Sequence, residues 1–248
     1  MPKIADYIER FGALEGWFND QSAYVWDCLL DFQHLRGIEG ALYEIGVFRG
    51  KSAALCCLHA RTQEHVVLVD PYRPDEVKST VAPAKSDNLV FFPCRSVALP
   101  RSAIDPYIGQ CRWIHIDGDH TGHACTFDLN LANSLLDDQG VVAVDDFLSP
   151  AYPNLTAAVF LYLHNNPFAF RLFLCGFNKG YLVRPRACRM YLEYVRDELQ
   201  NDLRARDYGK KVTLLKKTSP DDMNCFGMTT YAGRDAVGLF WSPDEILI

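Results

Sequence analysis

Near the start of the chain, Tyr24, Val25, Cys28, Leu29, Phe32 and Leu35 recur at helical spacing and predict a helix over Ser22–Leu35. Asp20 is placed to cap it, and Gly37 and Gly40 to end it. From Ala41 to about Asp146 the period changes. Short apolar runs at Leu42–Val47, Val66–Val69, Leu89–Pro93, Trp113–Ile116 and Val141–Val144 predict five strands, with helices over Lys51–His59 and through Thr126–Leu136. Strands that lack a polar face imply a parallel sheet covered by helices on both sides. Two further runs, Arg171–Cys175 and Gly180–Val183, are joined by Gly176-Phe-Asn-Lys and predict a hairpin, hence an antiparallel edge strand. Beyond Pro185 we expect a helix over Cys188–Arg206 and strand-like runs at Val212–Leu215 and Ala236–Trp241. This divides the chain into an N-terminal helical segment (1–40), an α/β core (41–185) and an extension of the same domain (186–248).

Composition narrows the function classes. The 248 residues suit one large α/β domain, and 49% hydrophobic residues supply a substantial core. No apolar run approaches the ~20 residues of a membrane span. The opening Met1-Pro-Lys-Ile-Ala-Asp-Tyr has no secretion-signal pattern, so a cytoplasmic protein without a membrane partner is expected. Nine cysteines without repeated CxxC spacing suit reduced, buried thiols better than a disulfide framework. A net charge of −6 argues against a nucleic-acid partner and favours a small-molecule substrate.

In a parallel sheet of this kind ligands sit beyond the carboxyl ends of the strands. The first such end reads Glu44-Ile-Gly-Val-Phe-Arg-Gly-Lys-Ser, with Gly46 and Gly50 where a strand turns into a helix. Glycine lets the backbone approach a ligand, because there is no Cβ to collide with it. The loop fits neither GxGxxG nor GxxxxGK[ST]. Glu44 would repel a pyrophosphate yet accept from an ammonium group, and Asp70, ending the second strand, is placed to accept from ribose hydroxyls. A ligand with ribose and positive charge but no phosphate is implied; S-adenosylmethionine meets all three conditions. A plain strand–turn–helix with packing glycines is the alternative for the loop taken alone.

The fourth strand ends Trp113-Ile-His-Ile-Asp-Gly-Asp-His120 and the fifth Val141-Val-Ala-Val-Asp-Asp146. If these strands are neighbours, Asp117, Asp145 and Asp146 converge, and clustered carboxylates raise one another's pKa unless compensated. A divalent cation, Mg²⁺ or Mn²⁺, would compensate them. His120, three residues after Asp117, is placed to remove a proton from a hydroxyl. Helix capping is the alternative role for the acids, and the one favoured for Asp119.

Glu44–Ser52, Leu68-Val-Asp70-Pro-Tyr72, Ile116-Asp-Gly-Asp-His120 and Gly140–Asp146 together resemble the successive motifs of class I S-adenosylmethionine-dependent methyltransferases. The branch is similar to macrocin-type sugar O-methyltransferases of natural-product biosynthesis and, more distantly, to catechol and caffeoyl-CoA O-methyltransferases. The resemblance runs from about Leu35 to Val183. It implies a Rossmann-like seven-stranded sheet with a reversed last strand and cofactor contacts at Glu44, Gly46, Gly50, Asp70 and Asp117, with Ser96 on the adenine side. It also implies a cation held by Asp117, Asp145 and Asp146, with His120 as general base. The catechol-type branch has Asp-Asn after the fifth strand, where this chain has Asp-Asp. Family members often associate, so a homodimer is expected. A metal-independent methyltransferase, a non-catalytic cofactor-binding or interaction protein, and a nicotinamide oxidoreductase are the rival readings; Glu44 and the absence of GxGxxG oppose the last.

Overall fold

The structure, a computed structural model, describes residues 2–85, 87–208, 212–216, 225–230 and 246–247. Two helices lead in: α1 (Ile4–Phe11) and α2 (Asp20–Leu35). Asn19, rather than Asp20, caps α2, its side chain accepting from the Ser22 amide at 2.7 Å. A side-chain oxygen one residue before the first turn is where an N-cap belongs. Asp27 is buried on α2, and its carboxylate takes His59 at 2.8 Å and Arg206 at 2.6 Å, tying three helices together.

The core then alternates up to β3 and again from β4 to β6: β1 (Ala41–Ile45), α3 (Lys51–His59), β2 (Val66–Val69), α4 (Pro74–Val81), β3 (Leu89–Phe92), β4 (Cys111–Ile116), α5 (Gly122–Leu135), β5 (Leu136–Asp145), α6 (Pro153–Asn165), β6 (Arg171–Gly176) and β7 (Lys179–Val183). Helices α7 (Pro185–Asp197) and α8 (Leu199–Ala205) follow, then β8 (Val212–Lys216), β9 (Phe226–Thr230) and β10 (Ile246–Leu247). Among the described residues the strands form one sheet ordered β10-β8-β9-β6-β7-β5-β4-β1-β2-β3. The five strands β1–β5 are parallel, and the chain reverses direction across the sheet between β1 and β4. That reversal opens a crevice at the carboxyl ends of those two strands.

Strand β7 is antiparallel to both neighbours and lies between β5 and β6. Its hairpin turns on Phe177 (φ 52°) and Asn178 (φ 68°), both left-handed, as a two-residue turn of the primed type requires. Strand β9 pairs parallel with β6, so the sheet continues past the seven core strands.

Each strand splits its side chains between two cores. Leu42, Trp113, Val141 and Tyr181 pack with α1, α2, α3 and α7. Tyr43, Ile114, Val142 and Leu182 pack with α5 and α6. The alternation has a further effect. Glu44, His115, Asp145 and Lys179 are all buried and, by period two, lie on the first of these faces.

Differences from the sequence reading have local causes. The expected helix Cys188–Arg206 begins earlier, at Pro185, and breaks at Glu198 into α7 and α8. Helices α4 and α6 both open on proline, which suits a first helical position. Strand β8 contains Val212–Leu215, whereas Ala236–Trp241 lies outside the described residues. Among the described residues no helix is long and apolar enough to cross a membrane.

Candidate active site

At the crevice between β1 and β4, Gly46 (φ 83°) follows β1 and donates to the Val69 carbonyl at 2.8 Å. The Asp117 amide donates to the Ile45 carbonyl at 2.7 Å, which brings the β4 end against the glycine. A Cβ on residue 46 would stand 1.8 Å from the Asp117 carbonyl oxygen, so only glycine fits there. The loop is organised by Asp70. Its Oδ2 accepts from the Val47 and Phe48 amides at 2.9 Å each, and its Oδ1 from the Tyr72 amide at 2.8 Å.

These ends frame a cavity of about 370 Å³ walled by Gly46, Asp70, Tyr72, Ser96, Asp117 and Gly118, among others. A second cavity, about 600 Å³, shares Gly46, Asp70, Asp117 and His120 and is walled by Trp17, Phe48 and Tyr72. Of the residues expected to hold a cofactor, Gly46, Asp70, Ser96 and Asp117 line the first cavity. Glu44 and Gly50 are not among those lining it. Gly50 instead starts α3 in a left-handed conformation, where a Cβ would crowd Val77 and Val81. Glu44 projects into the helical face below. Its Oε1 accepts from the Ser52 hydroxyl and meets His115 Nδ1 at 2.9 Å. Among the described residues its Oε2 has no partner.

Glu44 opens a row of alternating charge. His115 lies next to it in register on β4, with Nε2 at 3.7 Å from Asp145 Oδ2. Lys179, paired in register with Asp145, puts Nζ 2.5 Å from its Oδ1. Burial alone would disfavour a charge on His115, but Asp145 and Glu44 on either side push its pKa up to about 9. Burial likewise opposes the Asp145 charge, yet His115 and Lys179 hold its carboxyl well below the usual range. Trp26 closes the row, its ring edge-on to His115 at 4.6 Å.

Towards solvent lies a second cluster. His120 Nε2 is 2.8 Å from Asp146 Oδ2 and 3.4 Å from Asp117 Oδ1. Asn178 Nδ2 donates to Asp146 at 2.6 Å and to Asp145 at 3.3 Å. The Tyr152 ring stacks on His120 at 4.3 Å with planes 14° apart. The Asp117 contact raises the His120 pKa above its ordinary value. Burial and the nearby Asp145 charge push Asp117 up to about 6.

The acids expected to share a cation thus lie at the adjoining ends of β4 and β5. Asp117 groups with Asp145 in one set and with Asp146 in another, rather than all three together, and the chain already supplies much of their countercharge. Two overlapping sets, His115–Asp117–Asp145 and Asp117–His120–Asp146, each place one ligand atom per residue within 4.8 Å of one another. The outer set, two carboxylates and one imidazole, suits a hard divalent cation, whereas His115 in the inner set is held protonated between Glu44 and Asp145. Lys179, Asn178 and the role of His115 were not read from the sequence. Lys179 and Asn178 are polar residues on a hairpin, and only the pairing of β7 with β5 brings them to the acids.

The crevice thus has an acid at Asp70, committed to the backbone amides of the loops, and a close backbone approach at Gly46. Residues 43–147 match a family model described as a methyltransferase domain. Among solved structures the chain is similar to the O-methyltransferase NovP, with 17% identity over 71% of this chain and 87% of that one, TM-score 0.57. The O-methyltransferase TomG from Streptomyces achromogenes, involved in tomaymycin synthesis, aligns at 16% identity over 73% and 86%, TM-score 0.52. An O-methyltransferase from Bacillus cereus aligns at 11% identity over 73% and 88%, TM-score 0.53. Identities this low speak for the fold. No curated protein matches the chain by sequence. Sheet order and crevice define the class, a Rossmann-like α/β fold with a ligand crevice at the carboxyl ends of β1 and β4. The match over 43–147 makes it more particular: the stretch from β1 to the end of β5 is similar to a methyltransferase domain.

Proposed function

We propose that the protein methylates a hydroxyl of a small molecule, with His120 as the general base. The observation that carries this reading is the His120 imidazole at the wall of both cavities, held by Asp117 and Asp146 and stacked on Tyr152. An imidazole fixed in this way accepts a proton from a hydroxyl seated in the wider cavity, where Trp17, Phe48 and Tyr72 offer flat apolar walls. Gly46, Asp70, Ser96 and Asp117 would hold the cofactor, which supplies an electrophilic sulfonium methyl. Most of the acceleration then comes from orienting the two reactants. A hydroxyl acceptor agrees with the fold neighbours being O-methyltransferases.

Asp117, Asp145 and Asp146 would hold a divalent cation, whose charge acidifies a bound hydroxyl. A specific observation favours a second reading, transfer without metal. Lys179 and Asn178 already engage Asp145 and Asp146, so the acids need no ion to coexist. Methyl transfer measured with and without a chelator, in wild type and His120→Ala, separates the two. We expect His120→Ala to lower turnover by ~10²–10⁴ with S-adenosylhomocysteine affinity unchanged, and the chelator to abolish wild-type turnover. Undiminished turnover under chelation would establish the metal-free reading; undiminished turnover in His120→Ala would remove His120 as base.

A further inference from the structure

The outer face of the α5–α6 layer carries no charged side chain. Asp128 is the one Asp, Glu, Lys or Arg on α5, and it is buried. Residues 147–170, which include α6, contain none of these four types. Helix α7, on the opposite face of the sheet, instead keeps Arg186, Arg189, Arg196 and Asp197 exposed. What the α5–α6 layer shows to solvent is apolar. Leu161 is 60% exposed, Phe168 in the turn after α6 is 89% exposed, and Phe127 and Phe160 are exposed as well. The other exposed positions on the two helices are Thr, Asn, Ser, His, Ala and Pro. The helices lie side by side: the Tyr162 hydroxyl donates to Asn130 Oδ1 at 3.4 Å, and a Cβ on Gly122 would stand 3.3 Å from the Asn154 carbonyl oxygen. An outer helical layer with apolar residues and no charge is one that a larger assembly covers.

Size and charge point to a second copy of this chain as the cover. Helices of 14 and 13 residues side by side make a face roughly 20 Å by 20 Å. With its side-chain relief, such a face approaches the ~800 Å² per partner of a stable interface. In a two-fold contact a patch meets itself, so charge of one sign would face its own kind; a patch with none avoids that repulsion. Charged residues stand at the border instead. Asp119 precedes α5, Asp137 and Asp138 follow it, and Arg171 follows the turn after α6. An apolar centre with a polar rim is the anatomy of a protein interface. A membrane surface matches less well, because a helix lying in one carries Lys and Arg beside its apolar face, and a chain of net charge −6 is repelled by anionic lipid.

We infer that the outer face of α5 and α6, centred on Phe160 and Leu161, is the contact surface of a two-fold homodimer. The face runs along the side of the sheet, whereas the crevice lies at the strand ends, so each copy keeps its own crevice.

Sedimentation equilibrium of the full chain across a dilution series, with melting temperatures alongside, tests this. Wild type should sediment at twice the chain mass. Leu161→Glu places a carboxylate in the apolar centre and should weaken association by ~100-fold or more, because a two-fold contact contains every substitution twice. Phe168→Ser should act in the same direction, and it decides the matter if Leu161→Glu does not fold. A wild type at any other mass overturns the inference. A monomer whose melting temperature falls in Leu161→Glu does so too, by showing that the chain itself covers the face. A dimer that the folded variants leave intact also overturns it, since the two-fold axis then lies elsewhere.

Discussion

Asp145 stays ionised at a depth where water hardly reaches it, because Lys179, His115 and Asn178 converge on its two oxygens. Taking one partner from a buried ion pair leaves the other charge uncompensated, which costs more than the pair itself contributes. Lys179→Met should therefore lower stability by about 3–5 kcal/mol in urea denaturation. An unchanged midpoint would mean that His115 and Asn178 suffice. At this scale the sequence was informative where a residue's role follows from its place beside a strand end. Asp117, Gly46 and Asp70 could be located from pattern alone. Glu44 shows the limit: its proximity to the loop was legible, but the strand's period of two turns its carboxylate away from the cavity and towards Ser52 and His115. Lys179 was not legible because its partner lies 34 positions earlier in the chain.

The elements followed from the sequence where one pattern dominated. Runs such as Val66–Val69 are apolar on both faces, and helix α3 begins at once after Gly50. Helices α4 and α6 were harder to see because proline, which opens both, also reads as a breaker. Strand β9 has so short a run that its pairing with β6 and β8, rather than its own composition, defines it. The β6–β7 hairpin combines both sources, since the short polar link foretold the turn and the fold gave it a task. Asn178 supports the left-handed turn and also donates to Asp146. Asn178→Gly keeps the backbone and loses the donor, whereas Asn178→Ala loses both. The alanine variant should be the less stable of the two by about 1 kcal/mol in chemical denaturation. Equal stability would show that the turn carries no strain.

For the whole molecule, the two-sided α/β layering was set by the order of apolar runs, and the crevice followed from the reversal between β1 and β4. What the chain pattern did not disclose is how its charges are distributed through the interior. That distribution has a consequence for pH. His115 titrates higher when folded, at about 9, than an ordinary histidine. Its stabilisation is complete below the unfolded value near 6.5 and fades as pH rises through 9. The melting temperature should fall between pH 7 and about 9.5, and a His115→Phe variant should lack that decline. A wild-type melting temperature flat across that window would contradict the charged state of His115.

The row Glu44–His115–Asp145–Lys179 also bears on how this protein can be redesigned. Its members occupy four different strands, β1, β4, β5 and β7, yet none has its full complement of charge without the next. Mutational effects along it should be far from additive, because each single change exposes the misfit of its neighbours. Replacing the whole row by apolar residues of similar volume is the gentler alteration, since a fully apolar strip avoids desolvating four charges. Such a chain would keep its sheet but lose Asp145, the member that Asn178 links to the outer cluster at Asp146. Stability and the supply of a carboxylate at the crevice can therefore be varied separately, provided the four positions are changed as a block.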